Sequence, residues 1–156
     1  MKRALPTVLV SLQFLLLAAL VVLAFVPHDR LWPGGPIPLI AGAVLVAAGL
    51  AVAVLGVRGL GSALTASPVP LEGATLVTSG VYSRVRHPIY TGLLAGGAGV
   101  VVMGASLGQV VVWAALLVLL MVKARWEERM LLAAHPDYRA YAARSGRFLP
   151  GLGRLR

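Results

Sequence analysis

The chain has 156 residues, of which 59% are hydrophobic and only 12% are charged, and its net charge is +9. Soluble domains are about 45–50% apolar and about 25% charged, so this composition excludes an ordinary soluble domain and indicates one integral membrane domain over residues 1–156. Because the basic residues flank apolar segments, the positive charge favours contact with anionic membrane lipids and not with nucleic acid, while the absence of cysteine excludes disulfides and cysteine-bound metals.

Two uncharged segments, residues 7–26 and 37–57, occupy the first part of the chain. At about 1.5 Å per residue, each is long enough as a helix to cross a hydrocarbon core of about 30 Å, so we predict two full membrane spans. A cleaved signal peptide is the alternative for the first segment, because Lys2 and Arg3 precede it. Signal peptides have apolar regions of only about 7–15 residues, which favours a membrane span.

Small residues recur at four-residue spacing in the second span. Ala43, Ala47 and Ala51 share one helical face, and Gly49 and Ala53 share another. Such spacing lets helices approach closely in lipid, although small residues are also simply abundant here.

Residues 58–90 form the longest polar interval, which we expect to be a loop with a short interfacial helix.

The apolar residues 93–122 would make about 45 Å of helix, which is too long for one untilted span and short for two. Because residues 104–109 are typical of a turn, we predict a tight hairpin of two short arms packed on each other. Gly92 and Gly96 suit close packing of the first arm.

The basic tail, residues 123–156, is predicted to continue the second arm as a helix to about Ala134. His135-Pro136-Asp137 should break that helix, and a second helix should follow with Tyr138 and Tyr141 on one face. The tail carries eight Lys and Arg residues and the hairpin tip none, so the positive-inside rule predicts that both termini and the long loop are cytoplasmic. The predicted fold is therefore all-α, with four membrane helices and a cytoplasmic helical tail.

A compact motif, Gly80-x-Tyr82-x-x-x-Arg86-His87-Pro88-x-Tyr90-x-Gly92, precedes the hairpin, and Glu127-Glu128 follows it. This combination resembles the isoprenylcysteine carboxyl methyltransferase and phospholipid methyltransferase superfamily. The likeness extends over residues 76–150 and includes the two tail tyrosines and Phe148-Leu149-Pro150.

The resemblance implies an integral membrane methyltransferase that uses S-adenosylmethionine and releases S-adenosylhomocysteine. Residues 1–57 would be two membrane spans and residues 58–156 the cofactor-binding half, with a lipophilic substrate entering from the bilayer of the inner membrane. The cofactor site carried over by position consists of Tyr82, Arg86, His87, Pro88, Tyr90, Gly92, Glu127 and Glu128. The resemblance also implies catalytic roles for Glu128 and for Arg144, which would lie near the acceptor.

The acceptor and several residue roles have alternatives. A prenylated-cysteine carboxylate, a phospholipid amine and a small thiol all remain open, although a carboxylate needs no general base and is favoured because none is evident. Adjacent acids on a helix point about 100° apart, so only one faces the site, and we favour Glu128 over Glu127.

The predicted site residues also have plainer readings. Arg86 could set membrane topology, the tyrosines could be interfacial anchors, and Glu127 could pair with Lys123. A small structural membrane protein without enzymatic activity is the opposing class; transport is disfavoured because Gln13 is the most polar residue of the first two spans. The scattered histidines predict no metal site, and the sequence leaves the oligomeric state open.

Overall fold

The computed structural model describes residues 4–27, 29–61 and 76–155. Five helices are present in these ranges: α1 (Ala4–Leu23), α2 (Pro36–Leu60), α3 (Pro88–Gly104), α4 (Leu107–Ala134) and α5 (Tyr138–Arg144). A 3₁₀ turn, Gly80–Ser83, precedes α3. Apart from one isolated bridge, no β-structure occurs in the described ranges, so the all-α prediction is confirmed.

Three helices, α1, α2 and α4, are long and apolar enough to cross a membrane. The fourth, α3, is apolar but has only 17 residues, or about 26 Å of helix, which is less than a hydrocarbon core of about 30 Å. The predicted turn between α3 and α4 is confirmed, because Ala105 adopts a left-handed conformation that ends α3. The predicted continuation of the second arm as a helix to about Ala134 is confirmed, since α4 has 28 residues and continues past the apolar segment into the tail.

Helix α3 packs mainly against α2, while α1 packs against α4. The sequence predicted instead that α3 and α4 would pack chiefly on each other. Glycines explain the difference: a Cβ on Gly49 would lie 2.5 Å from the carbonyl oxygen of Gly92, and one on Gly99 would lie 2.5 Å from that of Gly42. The two backbones therefore approach closely without intervening side chains.

The buried glycines of α2 recur every seven residues, at Gly42, Gly49 and Gly56. Of the two small-residue faces, the one with Gly49 and Ala53 contacts Gly92 of α3, whereas Ala43 and Ala47 are exposed and reflect only the abundance of small residues. On the remaining surface of α2, exposed aliphatic side chains predominate, as expected for a helix in contact with lipid.

The ends of the helices fall into two groups. At one end, the connection after α1 meets the α3–α4 turn, where the Leu31 amide donates to the Ala105 carbonyl and the Trp32 indole donates to the Val102 carbonyl. The N-terminal part of α1, the last turn of α2, the start of α3 and the last turns of α4 are together at the other end. The expected loop is helical at both its borders, and its middle, residues 62–75, lies outside the described ranges.

Candidate functional site

The start of α3 is a proline corner paired with the tail. His87 precedes the helix and Pro88 occupies its first turn, where a proline costs no hydrogen bond. The Arg86 amide donates to the Gly146 carbonyl at 2.9 Å, and the His87 amide donates to the Arg147 carbonyl at 3.2 Å. The tail thus runs beside this corner and fixes the directions of its side chains.

Glu128 is the centre of a buried ion cluster. Its carboxylate accepts from Arg86 Nε at 2.9 Å, from His87 Nε2 at 3.2 Å and from the guanidinium of Arg147 at 2.7–3.1 Å. The Glu128 side chain is only 4% exposed. A charge this deeply buried is stable only when it is paired and hydrogen-bonded, and two arginines fulfil that condition here.

Arg86 connects the cluster to the tail backbone. Besides Glu128, its guanidinium donates to the carbonyls of Ala142, Ser145 and Gly153. Four of its five N–H donors are therefore used within the protein. In this conformation Arg86 holds the tail in place and offers little of its hydrogen-bonding capacity to a ligand.

Glu127, by contrast, lies next to the ion cluster with a side chain that is 28% exposed. The Tyr90 hydroxyl donates to its carboxylate at 3.3 Å, and His87 Nδ1 lies 3.6 Å from the same oxygen. The His87 and Tyr90 rings are stacked with centroids 5.3 Å apart, and Phe148 packs edge-on against both. The imidazole therefore lies between two glutamates, with its ring orientation fixed by aromatic contacts.

A cavity of about 350 Å³ opens beside these groups, within the range of about 300–1,000 Å³ typical of small-molecule sites. Its polar lining comes from α1, α3, α4, the 3₁₀ turn and the corner before α3: Gln13, Tyr82, Arg86, His87, Tyr90, Lys123 and Glu127. Its apolar lining includes Val10, Phe14, Leu17, Val57, Leu60, Ile89 and Leu93. The cavity thus combines a charged wall with an apolar wall.

Two tyrosines join the site to its surroundings. The Tyr82 hydroxyl donates to the Gly56 carbonyl in α2, and the Tyr141 hydroxyl donates to the Tyr82 carbonyl at 2.8 Å. Burial raises the pKa of Tyr141 to about 12 and also raises the pKa of Tyr82, so both phenols remain hydrogen-bond donors at neutral pH. Hydrogen bonds from Arg147 to Glu128 raise the pKa of that guanidinium.

The structure brings most of the predicted site residues together. Tyr82, Arg86, His87, Pro88, Tyr90 and Glu127 all line the cavity. Glu128, which the sequence favoured over Glu127, does not line it and is enclosed by the ion cluster. Gly92 packs against Gly49 of α2, which accounts for glycine at that position by helix contact.

Three residues of this region were not predicted from the sequence as part of the site, and one predicted residue lies away from the ion cluster. Arg147 was not distinguished from the other basic residues of the tail, yet it binds Glu128 with three hydrogen bonds. Gln13 and Lys123, which are 110 positions apart, are hydrogen-bonded at the cavity wall. The available signal was the position of Gln13 inside the first apolar segment and of Lys123 directly after the last one. Arg144 is exposed and has no contact with the ion cluster among the described residues, so its catalytic role stays a prediction.

Comparison with known proteins agrees with the residues gathered here. A family model for phospholipid methyltransferases matches residues 37–137. One relative, the cobalt-zinc-cadmium resistance protein CzcN of Cupriavidus metallidurans, is 41% identical over 83 residues, covering 53% of this chain but only 38% of that protein. No solved structure matches the chain. Because the family match extends over more than half of the chain and includes both the His87-Pro88 corner and the glutamate pair, this membrane protein belongs to the phospholipid methyltransferase family.

Proposed function

We propose that the protein transfers a methyl group from S-adenosylmethionine to a lipophilic acceptor in the bilayer, in the manner of an isoprenylcysteine carboxyl methyltransferase. The observation that carries this function is the cavity in which Glu127, His87 and Tyr90 face apolar side chains of α1 and α2. The polar methyl donor would bind against the charged wall of this cavity, and the apolar acceptor would bind against the apolar wall.

The polar wall fits the donor. The Glu127 side chain is partly exposed and accepts a hydrogen bond from Tyr90, and its carboxyl oxygens can also accept from an ammonium or from ribose hydroxyls. His87 and Tyr82 add polar edges, and Pro88 fixes the chain between them. When bound, the cofactor supplies an electrophilic methyl group, and the contribution of the protein is to align the acceptor with that methyl group.

The apolar wall supports entry of the acceptor from lipid. Val10 and Phe14 of α1 line the cavity opposite Val57 and Leu60 of α2. Because α1 packs on α4 and α2 packs on α3, the groove between α1 and α2 is not closed by extensive helix contact. With the termini in the cytoplasm, as the basic tail predicts, this groove would face the inner leaflet.

Calorimetric titration with S-adenosylhomocysteine tests cofactor binding by the detergent-purified protein. Glu127→Gln should weaken binding by about tenfold or more, because a hydrogen bond to a charged group contributes about 1.5–3 kcal/mol. Asp137→Asn is the matched control, since it neutralises an exposed carboxylate outside the cavity and should bind as the unmodified protein does. Absence of saturable heat from the folded, unmodified protein would refute S-adenosylmethionine as the donor.

Identification of the acceptor requires a second measurement. Membranes incubated with methyl-labelled cofactor should transfer label to a lipophilic carboxylate as a base-labile ester. Label in a phosphatidylethanolamine headgroup or in a thioether would instead establish amine or thiol methylation and replace the carboxylate as acceptor.

A further inference from the structure

Lys123 is a buried cation that the residues implied by the family resemblance do not include. It lies in α4, one turn before Glu127, and only 1% of its surface is exposed. Its ammonium nitrogen is 2.5 Å from the side-chain oxygen of Gln13 in α1 and 5.2 Å from the centroid of the Tyr90 ring. An amide and an aromatic face therefore hold this charge inside the protein.

The hydrogen-bonding capacity of this pair is mostly unused. An ammonium has three donors, and in the described part of the chain only Gln13 accepts from Lys123. No carboxylate oxygen among the described residues lies within 4 Å of its nitrogen, although Glu127 one turn later is near enough to interact with it electrostatically. The amide nitrogen of Gln13 likewise has no partner in the described ranges. Buried charges are normally paired, because desolvation costs several kcal/mol that one neutral amide does not offset.

Both side chains line the cavity that receives the acceptor. Gln13 and Lys123 are adjacent there to Phe14 and Leu17 of α1 and to Leu93 of α3. A cationic and amide donor set next to apolar side chains is complementary to an amphiphile with an anionic headgroup. Glu127 lies one turn after Lys123 on α4 and would repel the same anion, so an anionic group would have to bind on the side of Lys123 that faces Gln13.

We propose that Lys123 and Gln13 form a subsite that binds the anionic group of the lipophilic acceptor, a carboxylate or a phosphate, and so select anionic over neutral or cationic acceptors. The subsite rests on the proposed function, because it assigns a headgroup to the acceptor of that reaction. Gln13 lies outside residues 37–137, which the family model matches, whereas Lys123 lies within them.

Competition between amphiphiles of equal chain length tests the subsite. Labelled dodecanoate bound to the detergent-purified protein is displaced by dodecanoate, methyl dodecanoate, dodecyl phosphate or dodecylamine. Dodecanoate or dodecyl phosphate should compete about tenfold or more better than the ester and the amine, and the better of the two identifies the anion. Equal competition by the ester, or stronger competition by the amine, would overturn the subsite.

Substitutions then assign the selectivity to these side chains. Lys123→Met keeps most of the side-chain volume and should remove the preference for anions, whereas Lys123→Arg should retain it. Gln13→Leu should reduce the preference without abolishing it. Arg125→Met is the matched control, because it removes an exposed positive charge from the same helix and should leave the preference unchanged.

S-adenosylhomocysteine binding on the same preparations separates the two proposals. Cofactor binding with no preference for anions would overturn the subsite and leave the methyltransferase function intact. A preference for anions that depends on Lys123, without cofactor binding, would support the subsite and refute the function. If Lys123→Met does not fold, the amphiphile competition with the unmodified protein still decides the outcome.

Discussion

The α2–α3 interface and the ion cluster around Glu128 join the chain in opposite ways. Between α2 and α3, contact depends on the lack of side chains at the facing glycines, because Gly49 faces Gly92 and the two backbones meet directly. Around Glu128, contact depends on a dense set of charged hydrogen bonds from Arg86 and Arg147. Lipid provides little hydrophobic driving force for helix association. Close packing therefore stabilises the α2–α3 interface, and polar pairing stabilises the ion cluster.

The two regions should therefore respond to different changes. Added volume should disrupt the glycine interface, while loss of charge should leave it unaffected. The ion cluster should show the reverse, because its arginines would lose their partner and remain buried. The cavity lies next to both regions, with Pro88 belonging to the first and His87 to the second.

The largest effect is expected from Glu128→Gln. Removing the carboxylate leaves the buried guanidinium of Arg86 without its ionic partner, and breaking a buried pair costs about 3–5 kcal/mol. The free energy of unfolding in detergent measures this loss, and limited proteolysis should show earlier cleavage of the tail. Asp137→Asn, which removes an exposed charge, should change neither measurement. An unchanged unfolding free energy for Glu128→Gln would mean that the tail does not depend on the cluster.

A smaller loss is expected from Gly49→Ala. The new methyl group would lie 2.5 Å from the Gly92 carbonyl oxygen, so the helices must separate, and overpacking of this kind costs about 1–3 kcal/mol. Thermal unfolding in detergent measures the loss. Gly96→Ala is the matched control on the opposing helix, because a Cβ there meets no atom within 4 Å. Since alanine is the better helix former, equal destabilisation by both substitutions would show that the close contact at Gly49 does not determine the stability of this interface.

The smallest effect, about 1.4 kcal/mol, is expected when a rise of one pH unit above about pH 10 weakens the attachment of the tail. The unfolded chain releases the Tyr141 proton near its ordinary pKa of about 10, whereas burial raises the pKa in the folded protein to about 12. The stability contributed by this phenol is therefore complete below about pH 10 and is lost as the pH rises towards about 12.

Unfolding free energies measured across this alkaline range test the titration of Tyr141. The slope should be about 1.4 kcal/mol per pH unit for one phenol, and it should be smaller in Tyr141→Phe. An identical slope in that variant would assign the titration to another group.

Periodicity and composition were enough to predict the helices. The uncharged runs predicted α1 and α2. The small residues near Gly104 predicted the turn, and His135-Pro136 predicted the break before α5. The sequence motif also predicted that His87 and the glutamate pair would meet. These features are local, or they follow from alternation of helices across a membrane, which returns the start of α3 and the end of α4 to the same side.

Pairing between distant helices was decided only by the tertiary structure. A sequence shows that Gly49, Gly92, Gln13 and Lys123 are small or polar, but not which helix each one faces. That choice depends on how all the helices fill space together, since a rotation of about 100° per residue moves a side chain to a different neighbour. For the same reason, the sequence determined that two adjacent glutamates lie on α4 and point about 100° apart, while only the packed helices decided that Glu127 faces the cavity and Glu128 binds the arginines that hold the tail.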